Sequence, residues 1–153
     1  MKKVLVVGIG SILRGDDGVG TMVIDGLEKE ALPEYVSLER GDLSGIDLLK
    51  YFPDFEKVII VDAADMKEAP GTIKVFQSAV IKKSDFNDCV STHGMALLET
   101  LTLAEKLDIP SEITIIGIQP QDVSFRLGLS DTVEKTIPSV IEKVKQVLGQ
   151  DPF

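Results

Sequence analysis

The sequence predicts a three-layer αβα sandwich, with a mainly parallel twisted sheet of about five strands and helices on both faces. Three runs, Lys3 to Ile9, Lys57 to Asp62 and Ile113 to Ile118, are nearly uninterrupted in apolar, largely β-branched residues. That is the composition of strands buried on both faces. Apolar residues recur at helical spacing between and after these runs. Strands alternating with helices imply right-handed crossovers and neighbouring strands that run parallel.

Taken in order, Lys3 to Ile9 is the first strand, and a glycine-rich turn follows it. Val19, Met22, Val23, Leu27 and Leu32 then mark a helix, with Pro33 beyond its end. Val36 to Leu38 is a short second strand, and Ile46 to Tyr51 is a brief helical turn with Ser44 as its cap. Lys57 to Asp62 is the third strand. Pro70-Gly71 signals a turn, so Thr72 to Phe76 is expected as a short edge strand. Lys82 to Thr92 is a polar loop. Met95, Leu98, Leu101 and the Ala104/Glu105 region outline a helix that stops before Asp108-Ile109-Pro110. Ile113 to Ile118 is the last strand. Asp131 to Leu148 is the closing amphipathic helix, its apolar face made by Val133, Ile137, Val140, Ile141, Val144 and Leu148.

With 153 residues and no repeats or linker-like tract, the chain is expected to be a single domain over 1–153. At that length roughly 70% of the unfolded surface can be buried. The balance of 16 basic against 25 acidic residues, a formal charge of −9, argues against nucleic acid or an anionic membrane as the main partner, since both require a concentrated positive face. A single cysteine, Cys89, allows no internal disulfide and suits a reducing cytoplasm. Gly8 and Gly10 interrupt the N-terminal apolar run and Arg14-Gly15-Asp16-Asp17 follows, so a buried strand is expected there instead of a signal peptide. No apolar run approaches the roughly 18–20 residues that span a bilayer.

The chemistry is expected at the strand ends. If the first and third strands are neighbours with the second outside, a crevice opens at their carboxyl ends, where open α/β sheets place ligands. The turn from Gly8 to Gly20 has leucine at position 13, where a dinucleotide fingerprint requires glycine, and it lacks the Gly-Lys-Ser/Thr of a P-loop. Asp16 and Asp17 fit helix capping and the helix dipole, or one caps while the other faces the crevice. Asp62 closes the third strand, either as a polar stop or as a site carboxylate. Two neighbouring carboxylates suggest a shared proton or a metal. His93, the only histidine, fits a helix start or a ligand. Asp17, Asp62 and His93 together would suit Ni, Zn, Mn or Fe, with the identity open. A nucleophilic pairing of Cys89 with His93 and Asp62 is disfavoured because Asp88 raises the thiol pKa. No Gly-x-Ser-x-Gly elbow is present.

Four ordered blocks carry a resemblance: Gly8-x-Gly10 with Gly15-Asp16-Asp17-Gly18-x-Gly20; Val61-Asp62-Ala63-Ala64-Asp65-Met66 with Pro70-Gly71; Ser91-Thr92-His93-Gly94-Met95; and Gly117-Ile118-Gln119-Pro120. In this order they resemble the [NiFe]-hydrogenase maturation endopeptidases, particularly the type serving formate-hydrogenlyase hydrogenases. The resemblance implies that Asp17, Asp62 and His93 contact metal. It also implies removal of a C-terminal extension from the precursor of the [NiFe]-hydrogenase large subunit after nickel insertion. Nickel would be supplied by that precursor, and no serine or cysteine nucleophile would be needed. The alternative is a non-proteolytic nickel-binding or nickel-sensing module for hydrogenase assembly. A cytoplasmic monomer is expected, with no nucleic acid partner and no membrane insertion. Two positions depart from the family pattern. Ser11 stands where asparagine is usual, and Arg40-Gly41-Asp42 stands where Asp-Gly-Gly is usual, in a loop expected to shape the substrate cleft. Gln119 is expected either to line the cleft or to serve the turn after the last strand.

Overall fold

Five strands form one sheet in the order β2-β1-β3-β5-β4. The computed structural model describes residues 3–41, 52–77, 106 and 112–149. The strands are β1 (Val4–Ile9), β2 (Val36–Gly41), β3 (Lys57–Ala63), β4 (Ile73–Gln77) and β5 (Glu112–Ile118). β1 pairs in parallel with both β2 and β3, and β3 pairs in parallel with β5. β4 runs antiparallel to β5 at the edge, as its half-exposed pattern suits. The strand order reverses between β1 and β3, so a topological switch point lies at their carboxyl ends.

β1 and β3 are buried along their whole length. On one face Val4, Val6, Ile59, Val61, Ala63, Ile116 and Ile118 share a core with the helices α1 (Val19–Leu27) and α3 (Ile137–Gly149). On the other face Leu5, Val7, Val58 and Ile60 are equally buried, which explains why these strands read as continuous apolar runs and not as alternating ones. Each such side chain, fully buried, contributes about 1.5–3 kcal/mol. The expected elements at Ile46 to Tyr51, Lys82 to Thr92 and Met95 to Glu105 lie outside the described residues. Lys106 alone of the adjoining stretch is described, as helical.

Two helix boundaries differ from expectation. α1 ends at Leu27, and Leu32 packs on the core from the turn beyond it. Its buried stripe is Val19, Val23, Ile24 and Leu27, while Met22 faces outward. The closing segment is two helices, α2 (Asp131–Glu134) and α3. Pro138 is the cause. It has no N–H to bond the carbonyl of Glu134, and proline is tolerated in the first turn of a helix but not inside one. Thr136 fills the joint, its amide and hydroxyl both donating to the Val133 carbonyl at 2.9 and 2.6 Å.

Candidate active site

The turn between β1 and α1 folds back over the strand ends because glycine lets backbones touch. Gly10 adopts φ +137°, and a Cβ there would lie 1.8 Å from the Asp17 carbonyl oxygen. Only glycine tolerates both conditions. At Gly20 a Cβ would meet the carbonyl oxygens of Val61 and Ile9 at 2.4 and 2.7 Å. The start of α1 therefore seats directly on the ends of β3 and β1. A single 3-10 turn, Gly15–Gly18, carries both acids of the loop.

The two acids divide the work. Asp16 is completely buried. One of its oxygens, Oδ1, accepts from the Ser130 amide at 2.7 Å. The other, Oδ2, accepts from the Gln121 and Asp122 amides at 2.8 and 3.0 Å and from the Ser130 hydroxyl at 2.8 Å. It is thus an internal clasp between the first loop and the loop after β5, and makes no cap for α1. Ser130 in turn caps α2, its Oγ accepting from the Val133 amide at 3.3 Å. Asp17 takes the other direction. Its Oδ2 accepts from the Ser11 amide at 3.0 Å, and it is 1% exposed. Ser11 serves the turn through its backbone as well as its hydroxyl, which accepts from the Leu13 amide at 3.3 Å.

Asp62, 2% exposed, stands in β3 opposite Gly117 of β5. Because side chains alternate along a strand, it lies on the face opposite Val61, whose side chain belongs to the core under α1. Asp17 thus comes from the α1 layer and Asp62 from the sheet, and both sit at the carboxyl edge where β1 and β3 adjoin. His93 and Cys89 lie outside the described residues. Among the described residues no cluster of three His, Cys, Asp or Glu side chains is arranged to hold a metal.

Gln119 resolves to the turn role. Its Oε1 accepts from the Met66 and Glu68 amides at 2.6 and 3.3 Å, and its Nε2 donates to Asp65 Oδ1 at 3.1 Å. Its own backbone pairs with Thr72 and Gly71. The hydrogen bond from Gln119, helped by the Lys67 amide, holds the Asp65 carboxyl below its ordinary value. This brace fixes the segment just after Asp62. Arg40 and Gly41 belong to β2 and not to the expected loop. Arg40 is likewise structural, since its guanidinium pairs with Asp25 of α1 and with Glu28 just beyond its end; Asp42 lies outside the described residues.

Sequence reasoning missed the Asp16 clasp. Ser130 before Asp131 is legible as a helix cap, but its partner lies 114 residues away, and no local signal announces it.

The described fold and edge define an open α/β protein with buried carboxylates at its switch point. Comparison with known proteins places that class. The HycI hydrogenase maturation protease family matches residues 21–147. The chain is 31% identical over 151 residues to the hydrogenase 2 maturation protease of Escherichia coli K12, covering 97% of this chain and 92% of that one. It is 32% identical to the hydrogenase expression/formation protein HupD of Rhizobium leguminosarum bv. viciae, over 95% of this chain and 74% of the relative. The hydrogenase maturating endopeptidase HybD from E. coli superposes with a TM-score of 0.84 at 29% identity, covering 97% and 93% of the two chains. The chain belongs to the hydrogenase maturation protease family, as the resemblance in its four sequence blocks implied. Among the described residues no helix is long and apolar enough to cross a membrane.

Proposed function

We propose that this protein is the endopeptidase that removes the C-terminal extension of a [NiFe]-hydrogenase large-subunit precursor once nickel has been inserted. The observation that carries the reading is the pair of buried carboxylates, Asp17 and Asp62, at the carboxyl edge of adjoining strands in a chain of this family. Carboxylates gathered at one edge favour a divalent cation there. In this reading the cation is the precursor's own nickel, met by Asp17, Asp62 and His93. The protein recognises a loaded substrate and needs no metal of its own. Nickel so held polarises the scissile carbonyl or a bound water. The rigid turn around Asp17 and the Gln119 brace behind Asp62 hold the carboxylates in place, which lowers the reorganisation needed for cleavage.

Mass spectrometry of precursor incubated with the protein tests this. Nickel-loaded precursor should lose its extension and nickel-free precursor should remain intact. Asp17→Asn, Asp62→Asn and His93→Ala should each slow cleavage by about a hundredfold or more, with unchanged thermal unfolding for the two isosteric changes. Equal cleavage without nickel, or full activity in all three variants, would overturn the proposal. A protein that binds the loaded precursor without shortening it would be the sensing module.

A further inference from the structure

Among the described residues, large exposed apolar side chains are concentrated beside the candidate active site. Of six large ones among the described residues, Ile12, Leu13, Phe125 and Leu127 lie on two loops, at 50%, 49%, 85% and 74% exposure, while Met22 and Val75 stand elsewhere. The two loops are one platform. The Arg126 amide donates to the Leu13 carbonyl at 3.0 Å, the Gly15 amide to the Arg126 carbonyl at 2.9 Å, and the Asp16 amide to the Asp122 carbonyl at 2.8 Å. Beneath them the Asp16 clasp locks the same loops together from inside. A buried carboxylate that accepts four hydrogen bonds at this junction is a costly device for holding bare phenylalanine and leucine in water. It makes sense as preorganisation of a binding surface. The platform is also continuous with the site, since the Asp17 amide donates to the Arg14 carbonyl at 3.1 Å.

Charge specifies the occupant. The chain carries −9, yet the platform sets Arg14 and Arg126 against a single acid, Asp122, which pairs with Arg126 at 3.3 Å, so its local balance is positive. The Arg14 Nε reaches the Val123 carbonyl at 3.5 Å, and both arginines are exposed. In a two-fold contact the platform would face itself, arginine against arginine, so a second copy of this chain is a poor fit. We infer that this platform, Ile12, Leu13, Phe125 and Leu127 flanked by Arg14 and Arg126, is the docking surface for the precursor. It would receive an apolar segment bordered by carboxylates and seat it so that the extension reaches the Asp17 edge. The inference rests on the protease reading for the identity of the partner, and adds how that partner is held.

The test compares wild type, Phe125→Ser/Leu127→Ser and Arg14→Glu. Equilibrium binding to nickel-free precursor isolates docking from cleavage, and cleavage of nickel-loaded precursor is followed across precursor concentration. Both variants change exposed side chains, and circular dichroism checks that each folds. The double variant should bind at least about tenfold more weakly, and its cleavage should recover as precursor concentration rises. Arg14→Glu should weaken binding more at low salt than at high salt. Wild-type affinity in both variants would overturn the inference. So would a wild-type dimer that the double variant converts to monomer without loss of precursor affinity, because the platform would then belong to a second copy. If wild type binds but never shortens nickel-loaded precursor, and the variants lose binding, the docking surface stands and the protease reading falls.

Discussion

Asp16 and Asp17 are neighbours of one type in one turn, yet their environments give them opposite work. Asp16 anchors amides from a distant loop, so Asp16→Ala leaves the Ser130, Gln121 and Asp122 amides without their acceptor. Losing charge-assisted hydrogen bonds of this kind costs about 2–4 kcal/mol, seen as a lower urea midpoint with unchanged slope. Asp17→Asn is isosteric and keeps an oxygen for the Ser11 amide, so its urea midpoint should stay near wild type while cleavage is lost. Asp65 gives a pH signature. Its folded pKa is held below the ordinary value by Gln119, so its contribution is complete above the unfolded carboxylate pKa of about 3.9 and is lost as pH falls through the lower folded value. The urea midpoint of Asp65→Asn should therefore fall less steeply below about pH 4 than that of wild type. The difference should be small, because the side chain is exposed.

At the scale of elements, the site depends on how closely α1 can approach the sheet. Gly20→Ala would drive a methyl group into the Val61 and Ile9 carbonyl oxygens. Both are backbone atoms of central strands and cannot rotate aside, so α1 must lift. Overpacking of this kind costs about 1–3 kcal/mol, and here it also displaces the turn that carries Asp17. Gly20→Ala should thus lower both thermal stability and cleavage, whereas Asp17→Asn lowers cleavage alone; differential scanning calorimetry beside the mass assay separates the two. The same logic explains the glycine spacing seen in the sequence. It serves close backbone contact at a turn, and needs no nucleotide phosphate to account for it.

Across the whole molecule, β3 is tied at both ends. Its carboxyl end carries Asp62, and its amino end carries the buried Lys57, whose Nζ donates to the Val147 carbonyl at 3.0 Å near the end of α3. A cation there also complements the helix dipole. Lys57→Met keeps the stem but removes the ammonium from the last turn of α3, at a cost of about 2 kcal/mol. The melting temperature should fall by roughly 4–8 °C, with cleavage of nickel-loaded precursor retained well below the melt. That outcome would locate Lys57 in the scaffold that supports the site from the far end of the strand.

The parallel sheet, the central place of β1 and β3, and the candidates Asp17 and Asp62 were legible by themselves, because burial on both faces and emergence into a polar turn leave marks in consecutive residues. The four ordered blocks were legible because each is a short run of consecutive residues, and their order implied the family. Only the tertiary structure assigned the clasp to Asp16, turned Gln119 and Arg40 into braces, and gathered Ile12, Leu13, Phe125 and Leu127 onto one surface. Each of those facts depends on groups brought together from distant parts of the chain or on backbone contacts that spacing does not encode. Local pattern reports how much of a residue is buried, and the fold decides what it meets there.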